Sequence, residues 1–124
     1  MEWKLTDGRP IWVQLHEQLR QRIATGAYPR GSRMPSVREL AAEAGVNPNT
    51  MQRALAQLEQ EGLAKADRTA GRLVTQDTGI LDAVRRAEAQ VAVQQFFDAM
   101  AELGYSRQEA AELIGEENHE RTAD

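Results

Sequence analysis

Apolar residues recur at helical spacing in two short runs between Arg33 and Leu63, and each run has its own start and stop. In the first, Val37, Leu40, Ala41 and Ala44 fall on one face. Ser36-Val37-Arg38-Glu39 in front of it is a capping box: the serine hydroxyl takes an orphan amide of the first turn, and the glutamate reaches back to the cap's own amide. Gly45 follows, where a left-handed residue closes a helix at the least steric cost. In the second run Met51, Ala54, Leu55 and Leu58 form the stripe. Asn47 is its cap, Pro48 takes the first helical position, where a missing amide costs nothing, and Gly62 is the stop.

The same reading extends to both sides. A helix is expected from about Pro10 to Thr25, with Ile11, Leu15, Leu19 and Ile23 inward, Trp12 and His16 beside that stripe, and Gly26 as its end. Trp3-Lys4-Leu5 is expected to form a short strand against a hairpin made of Leu63–Ala66 and Arg72–Thr75, with Gly71 in the turn. Ile80 to Leu103 contains no Pro or Gly and predicts one long helix ended by Gly104. A second capping box, Ser106-Arg107-Gln108-Glu109, opens a last helix that should bury Ala110, Leu113 and Ile114 before Gly115, leaving Glu116–Asp124 frayed. The fold class is therefore mainly α with a small β-hairpin: a winged helix-turn-helix over residues 1–77, then a helical region with a polar tail over 78–124.

The apolar positions of the long helix spread over more than one stripe. Leu81, Val84 and Val91, then Phe96, Phe97 and Met100, make a face too wide for the short last helix to cover. A second copy of the chain is the expected cover, with these six as dimerisation residues; packing back onto the chain's own winged domain is the alternative.

Two capped helices joined by a tight turn are the layout of a helix-turn-helix, whose second helix enters the DNA major groove. Asn49, Thr50, Gln52 and Arg53 are left facing outward and suit base edges and phosphates. Any helical hairpin could carry the same caps, so the flanking segments matter. Pro10-Ile11-Trp12-Val13-Gln14-Leu15, the string from Gly31 through Ala41, Val46-Asn47-Pro48-Asn49-Thr50 and Glu61-Gly62-Leu63 together resemble the N-terminal domain of the GntR family of bacterial transcription regulators. The resemblance spans about residues 3–76. Asn47-Pro48-Asn49-Thr50 and the short remainder resemble the YtrA-like branch, whose members end in two helices.

That resemblance implies a DNA contact at Arg38, and position agrees with it, since Arg38 is on the outer side near the start of its helix. Ser36 would cap first and meet a phosphate second, and Asn47 would serve chiefly as a cap. Some relatives outside the branch carry an Arg where Pro48 stands, so a contact made that way is absent here. The wing departs from the family pattern: in Arg68-Thr69-Ala70-Gly71-Arg72-Leu73-Val74 only one glycine remains and Leu73 replaces an aromatic. Arg68 and Arg72 flank the tip and suit the minor groove or backbone, with a solvated turn as the plain alternative.

Charge changes the picture only once the chain is divided. Its 124 residues carry a formal net charge of −4. Residues 1–78 hold 11 Lys/Arg against 9 Asp/Glu, whereas residues 79–124 hold 4 against 10. Local cations that meet phosphate govern binding, not overall charge. The chain lacks Cys, so neither a disulfide nor a thiolate metal site is open to it. His16 and His119 fall in different regions without metal-ligand spacing, and neither a phosphate loop nor a nucleophile–base pair can be named. No enzyme, metal or cofactor is expected. Apolar runs are too short for a membrane span and no signal-peptide core is present, so a cytoplasmic protein is expected. A winged helix used only for protein contacts would favour aromatic and aliphatic anchors at the outward positions. The expected partners are a double-stranded DNA operator and a second copy of the chain as a homodimer; the sequence identifies no small-molecule effector.

Overall fold

The computed structural model describes residues 2–123, with side chains described through His119. Helices α1 (Ile11–Ala24), α2 (Val37–Ala44) and α3 (Pro48–Gln60) precede strands β1 (Ala64–Asp67) and β2 (Gly71–Val74). Two further helices follow, α4 (Thr78–Glu102) and α5 (Arg107–Ala123). Two compact units result, Met1–Arg86 and Ala87–Asp124, with the division inside α4.

In the first unit the sequence stripes are the core. Leu15, Leu19, Leu40, Met51, Ala54, Leu55 and Leu58 are all 0% exposed, and Ile11, Val37 and Ala44 from the same stripes pack half-buried against them. Each such large side chain is worth about 1.5–3 kcal/mol relative to exposure, which makes this cluster the main source of the unit's stability. The helix ends follow the caps. Glu39 N–H donates to Ser36 Oγ at 3.1 Å and Ser36 N–H to Glu39 Oε1 at 3.5 Å. Gly45 is left-handed at φ 70°, ψ 37°. Asn47 Oδ1 accepts from Asn49 N–H at 2.7 Å, with Pro48 in the first turn.

The hairpin pairs Ala64 with Val74 through Asp67 with Gly71 in antiparallel register. A third segment supports its outer edge, though not the one expected. Gly31 and Met34 N–H donate to the carbonyls of Val74 and Arg72, Val74 N–H donates to that of Ser32, and Arg33 bridges Leu73. Trp3-Lys4-Leu5 forms no strand. Glutamine side chains of α1 take up the Lys4 backbone and that of the residues just after the segment instead. Gln18 exchanges two hydrogen bonds with Lys4, and Gln14, 4% exposed, accepts from Thr6 N–H while donating to the carbonyls of Thr6 and Arg9. An amide side chain offers the same donor and acceptor as a neighbouring strand, which removes the need for one.

The first turns of α4 belong to this unit. Asp77 Oδ1 accepts from Gly79 and Ile80 N–H, starting the helix. Val84 is buried in the first unit's core, and Ile80 and Leu81 pack against it. Val84, expected on a dimer face, is thus covered within its own chain, and Leu81, expected there too, is partly covered. In the second unit Met100 and Ala110 are buried, and Phe96 and Phe97 meet edge to face at 5.3 Å. Met100, also expected on the dimer face, is covered within the subunit. Leu113 and Ile114, expected inward, are 42% and 48% exposed. Gly115 does not end α5, which runs on through the expected frayed tail to Ala123. Gly115 costs the helix only about 1 kcal/mol, and the glutamates after it are fair helix formers.

Candidate nucleic-acid interface

Packing decides which side chains of α3 are available. With Met51, Ala54, Leu55 and Leu58 turned wholly inward, Asn49, Gln52 and Arg53 are exposed and Thr50 is half-buried. Asn47 keeps its carbonyl oxygen on the helix end, so it acts as a cap as expected. On α2 Arg38 is exposed, and Ser36 is held by the capping box. These positions supply amide and guanidinium donors of the kind that read base edges and bind phosphate.

Arg53 has a feature that spacing did not disclose. Its guanidinium carbon lies 4.3 Å from the centre of the Trp12 ring on α1. A cation over an aromatic face at that distance is worth about 0.5–1 kcal/mol at an exposed site. One turn further along α1, His16 Nε2 meets the Glu61 carboxylate at the end of α3, and Arg20 lies 3.7 Å from the same carboxylate. His16 is thereby used in joining two helices.

The two arginines of the wing have different surroundings. Arg72 Nε donates to Glu59 Oε1 at 2.6 Å, with both side chains partly covered, so this residue ties β2 to α3. Of the two arginines expected at the wing, Arg72 is thus paired through Nε within the chain. Arg68 is exposed in the turn. The turn itself is built by Asp67, whose Oδ1 accepts from Thr69 N–H, Thr69 Oγ1 and Ala70 N–H, each at 2.9 Å. The two backbone amides, then the hydroxyl, hold the Asp67 carboxyl below the usual aspartate range. Gly71 at φ 85° completes the tip, so the single retained glycine is the one the backbone requires.

Arg33 escaped the sequence reading. It is exposed, bridges Leu73, and with Ser36, Gly71 and Arg72 lines a depression of about 280 Å³ between the start of α2 and the wing. The signal that would have found it is the third segment of the sheet, which cannot be seen in local spacing. Among the described residues no group of three or more His, Cys, Asp or Glu is placed to hold a metal ion, and no helix is long and apolar enough to cross a membrane.

Three helices, a supported hairpin and a polar outer face on α3 define a winged helix-turn-helix DNA-binding domain. Residues 13–74 match the family described as bacterial regulatory proteins, gntR family. The chain is 30% identical over 114 residues to the HTH-type transcriptional regulator YhcF of Bacillus subtilis, covering 92% of this chain and 94% of that one. It is 35% identical over 68 residues to the HTH-type transcriptional repressor YtrA of the same organism, covering 55% and 52%. A GntR family transcriptional regulator from Listeria monocytogenes superposes with a TM-score of 0.78 at 30% identity, covering 90% of this chain and 98% of that one. The protein belongs to the gntR family, in its YtrA-like branch. It is a transcription regulator and not an enzyme.

Proposed function

We propose that the protein is a homodimeric, sequence-specific repressor that binds a two-fold symmetric operator in the cytoplasm. The observation that carries this reading is the division of α3: four side chains fully buried, with Asn49, Gln52 and Arg53 left on an outer polar face. In each subunit α3 enters a major groove with Asn49, Thr50 and Gln52 toward base edges. Arg38 and Ser36 at the start of α2, and Arg53 on α3, take phosphates. Arg68 takes the backbone or minor groove at the wing. The YtrA relative, described as a repressor, supports the sign of regulation.

Dimerisation is assigned to the second unit. Phe96, Leu113, Ile114, Glu117 and Asn118 line an open groove of about 430 Å³ there, and Val91 and Val93 are more than half exposed on α4. Apolar area left open by both helices of one hairpin is the surface a self-complementary interface uses. Two domains joined in this way would span half-sites about 34 Å apart, or a multiple of that.

Selection of duplexes from a random pool, followed by titration of the selected site, tests the reading. Arg38→Ala is expected to weaken the selected duplex by about 1–3 kcal/mol at unchanged thermal stability. Wild-type affinity in this variant, or selected sequences lacking two-fold symmetry, would count against the proposal. A reporter fused to the selected site, silenced by the wild-type protein and released by Arg38→Ala, tests repression.

A further inference from the structure

The stacking of Arg53 on Trp12 joins two elements that a helix-turn-helix reading keeps apart. Trp12 is half-buried near the start of α1, and Arg53 is exposed on α3, the recognition helix. The guanidinium carbon sits 4.3 Å from the ring centre. A guanidinium carries all its N–H donors in its own plane. An aromatic face attracts the positive charge without taking up a lone-pair acceptor's place, so it holds the group while leaving N–H donors for another partner. Arg72 shows the opposite arrangement, because its Nε is taken by Glu59.

An unrestrained arginine on a helix surface samples many rotamers, and that freedom is lost when it binds. A ring that selects one region of space in the free protein removes part of the loss in advance. We propose that Trp12 is a positioning residue for DNA binding, holding Arg53 ready for a backbone phosphate at the α1 side of the groove. The inference rests on the DNA-binding reading above and adds α1 to the binding apparatus. Trp12 acts on binding through Arg53, and its π face is the property required.

The experiment is a double-mutant cycle with the full chain on the selected duplex, using Trp12→Leu, Trp12→Phe, Arg53→Ala and Trp12→Leu combined with Arg53→Ala. Trp12→Phe is expected to keep wild-type affinity within about two-fold, and Trp12→Leu to weaken binding about two- to five-fold. Arg53→Ala is expected to weaken it about five-fold or more, and adding Trp12→Leu to it should cost nothing further. Wild-type affinity in Trp12→Leu overturns the proposal. So does a loss from Trp12→Leu that persists undiminished on the Arg53→Ala background, since that marks a role in helix packing alone.

A second readout covers the case in which Trp12→Leu does not fold. The chain has two tryptophans, so Trp3→Phe leaves Trp12 as the sole emitter. Its emission is expected to change on saturation with duplex, and the change should vanish when Arg53→Ala is added. An identical change with and without Arg53 overturns the proposal. Failure of the wild-type chain to bind duplex in a salt-dependent way would overturn the parent reading as well. If Arg38→Ala weakens binding and Trp12→Leu does not, only the positioning role falls.

Discussion

Asp67 shows how one side chain sets a local structure. Three hydrogen bonds to its Oδ1 are stronger to the ionised form, and they lower its proton affinity in the folded state. A depressed carboxylate contributes stability above its unfolded value and loses it as pH falls through the folded one. The wing tip should therefore loosen only below the ordinary aspartate range, seen as faster amide exchange at Thr69 and Ala70. Asp67→Asn, which keeps an acceptor oxygen but does not titrate, should flatten that pH dependence; an unchanged profile would show that another group opens the turn. Arg68 and Arg72, four positions apart, are two like residues in different environments. Arg68→Ala should lower the slope of log affinity against log salt by about one with little change in stability. Arg72→Ala strands Glu59 in a partly covered site, so its effect should appear as a lower melting temperature.

At the scale of elements, α2 and α3 are defined by their ends as much as by their stripes. Removing the Ser36 hydroxyl leaves Glu39 N–H without its partner, and Ser36→Ala should destabilise the first unit by about 1 kcal/mol in denaturant unfolding. Loss of much less than that would mean water replaces the cap. Both helices, both caps and the inward stripe of α3 were legible in the sequence, because helical spacing and capping are properties of a few adjacent residues. Trp3–Leu5 was misread as a strand for the converse reason. Its partner is a pair of glutamine side chains on α1, and glutamines at positions 14 and 18 look like ordinary polar residues until the segment lies beside them. The sheet's third segment, Gly31–Met34, is short and carries glycine and serine, so it has no strand periodicity to read.

On the scale of the molecule, the question is what closes the second unit. Leu113 and Ile114 lie open on α5, and Phe96 shares their groove. If a second copy covers them, Leu113→Glu combined with Ile114→Glu should leave the fold intact, since neither side chain is buried in its own subunit, and should convert a dimer into a monomer in sedimentation at tens of micromolar. Operator affinity should then fall sharply, because two linked half-sites bind at a high effective concentration. A double variant that remains dimeric would remove this groove from the interface.

By itself the sequence determined the winged helix-turn-helix, its caps and core, the polar outer face of α3 and the family, because each is carried by local spacing or by contiguous strings of residues. Tertiary structure decided which of the candidate side chains are free. It tied Arg72 to Glu59, stacked Arg53 on Trp12, brought Arg33 beside the wing, and drew Leu81 and Val84 into the first unit while opening Leu113 and Ile114. Those contacts join residues from different elements, and helical or strand periodicity says which face a residue occupies but not what lies opposite it.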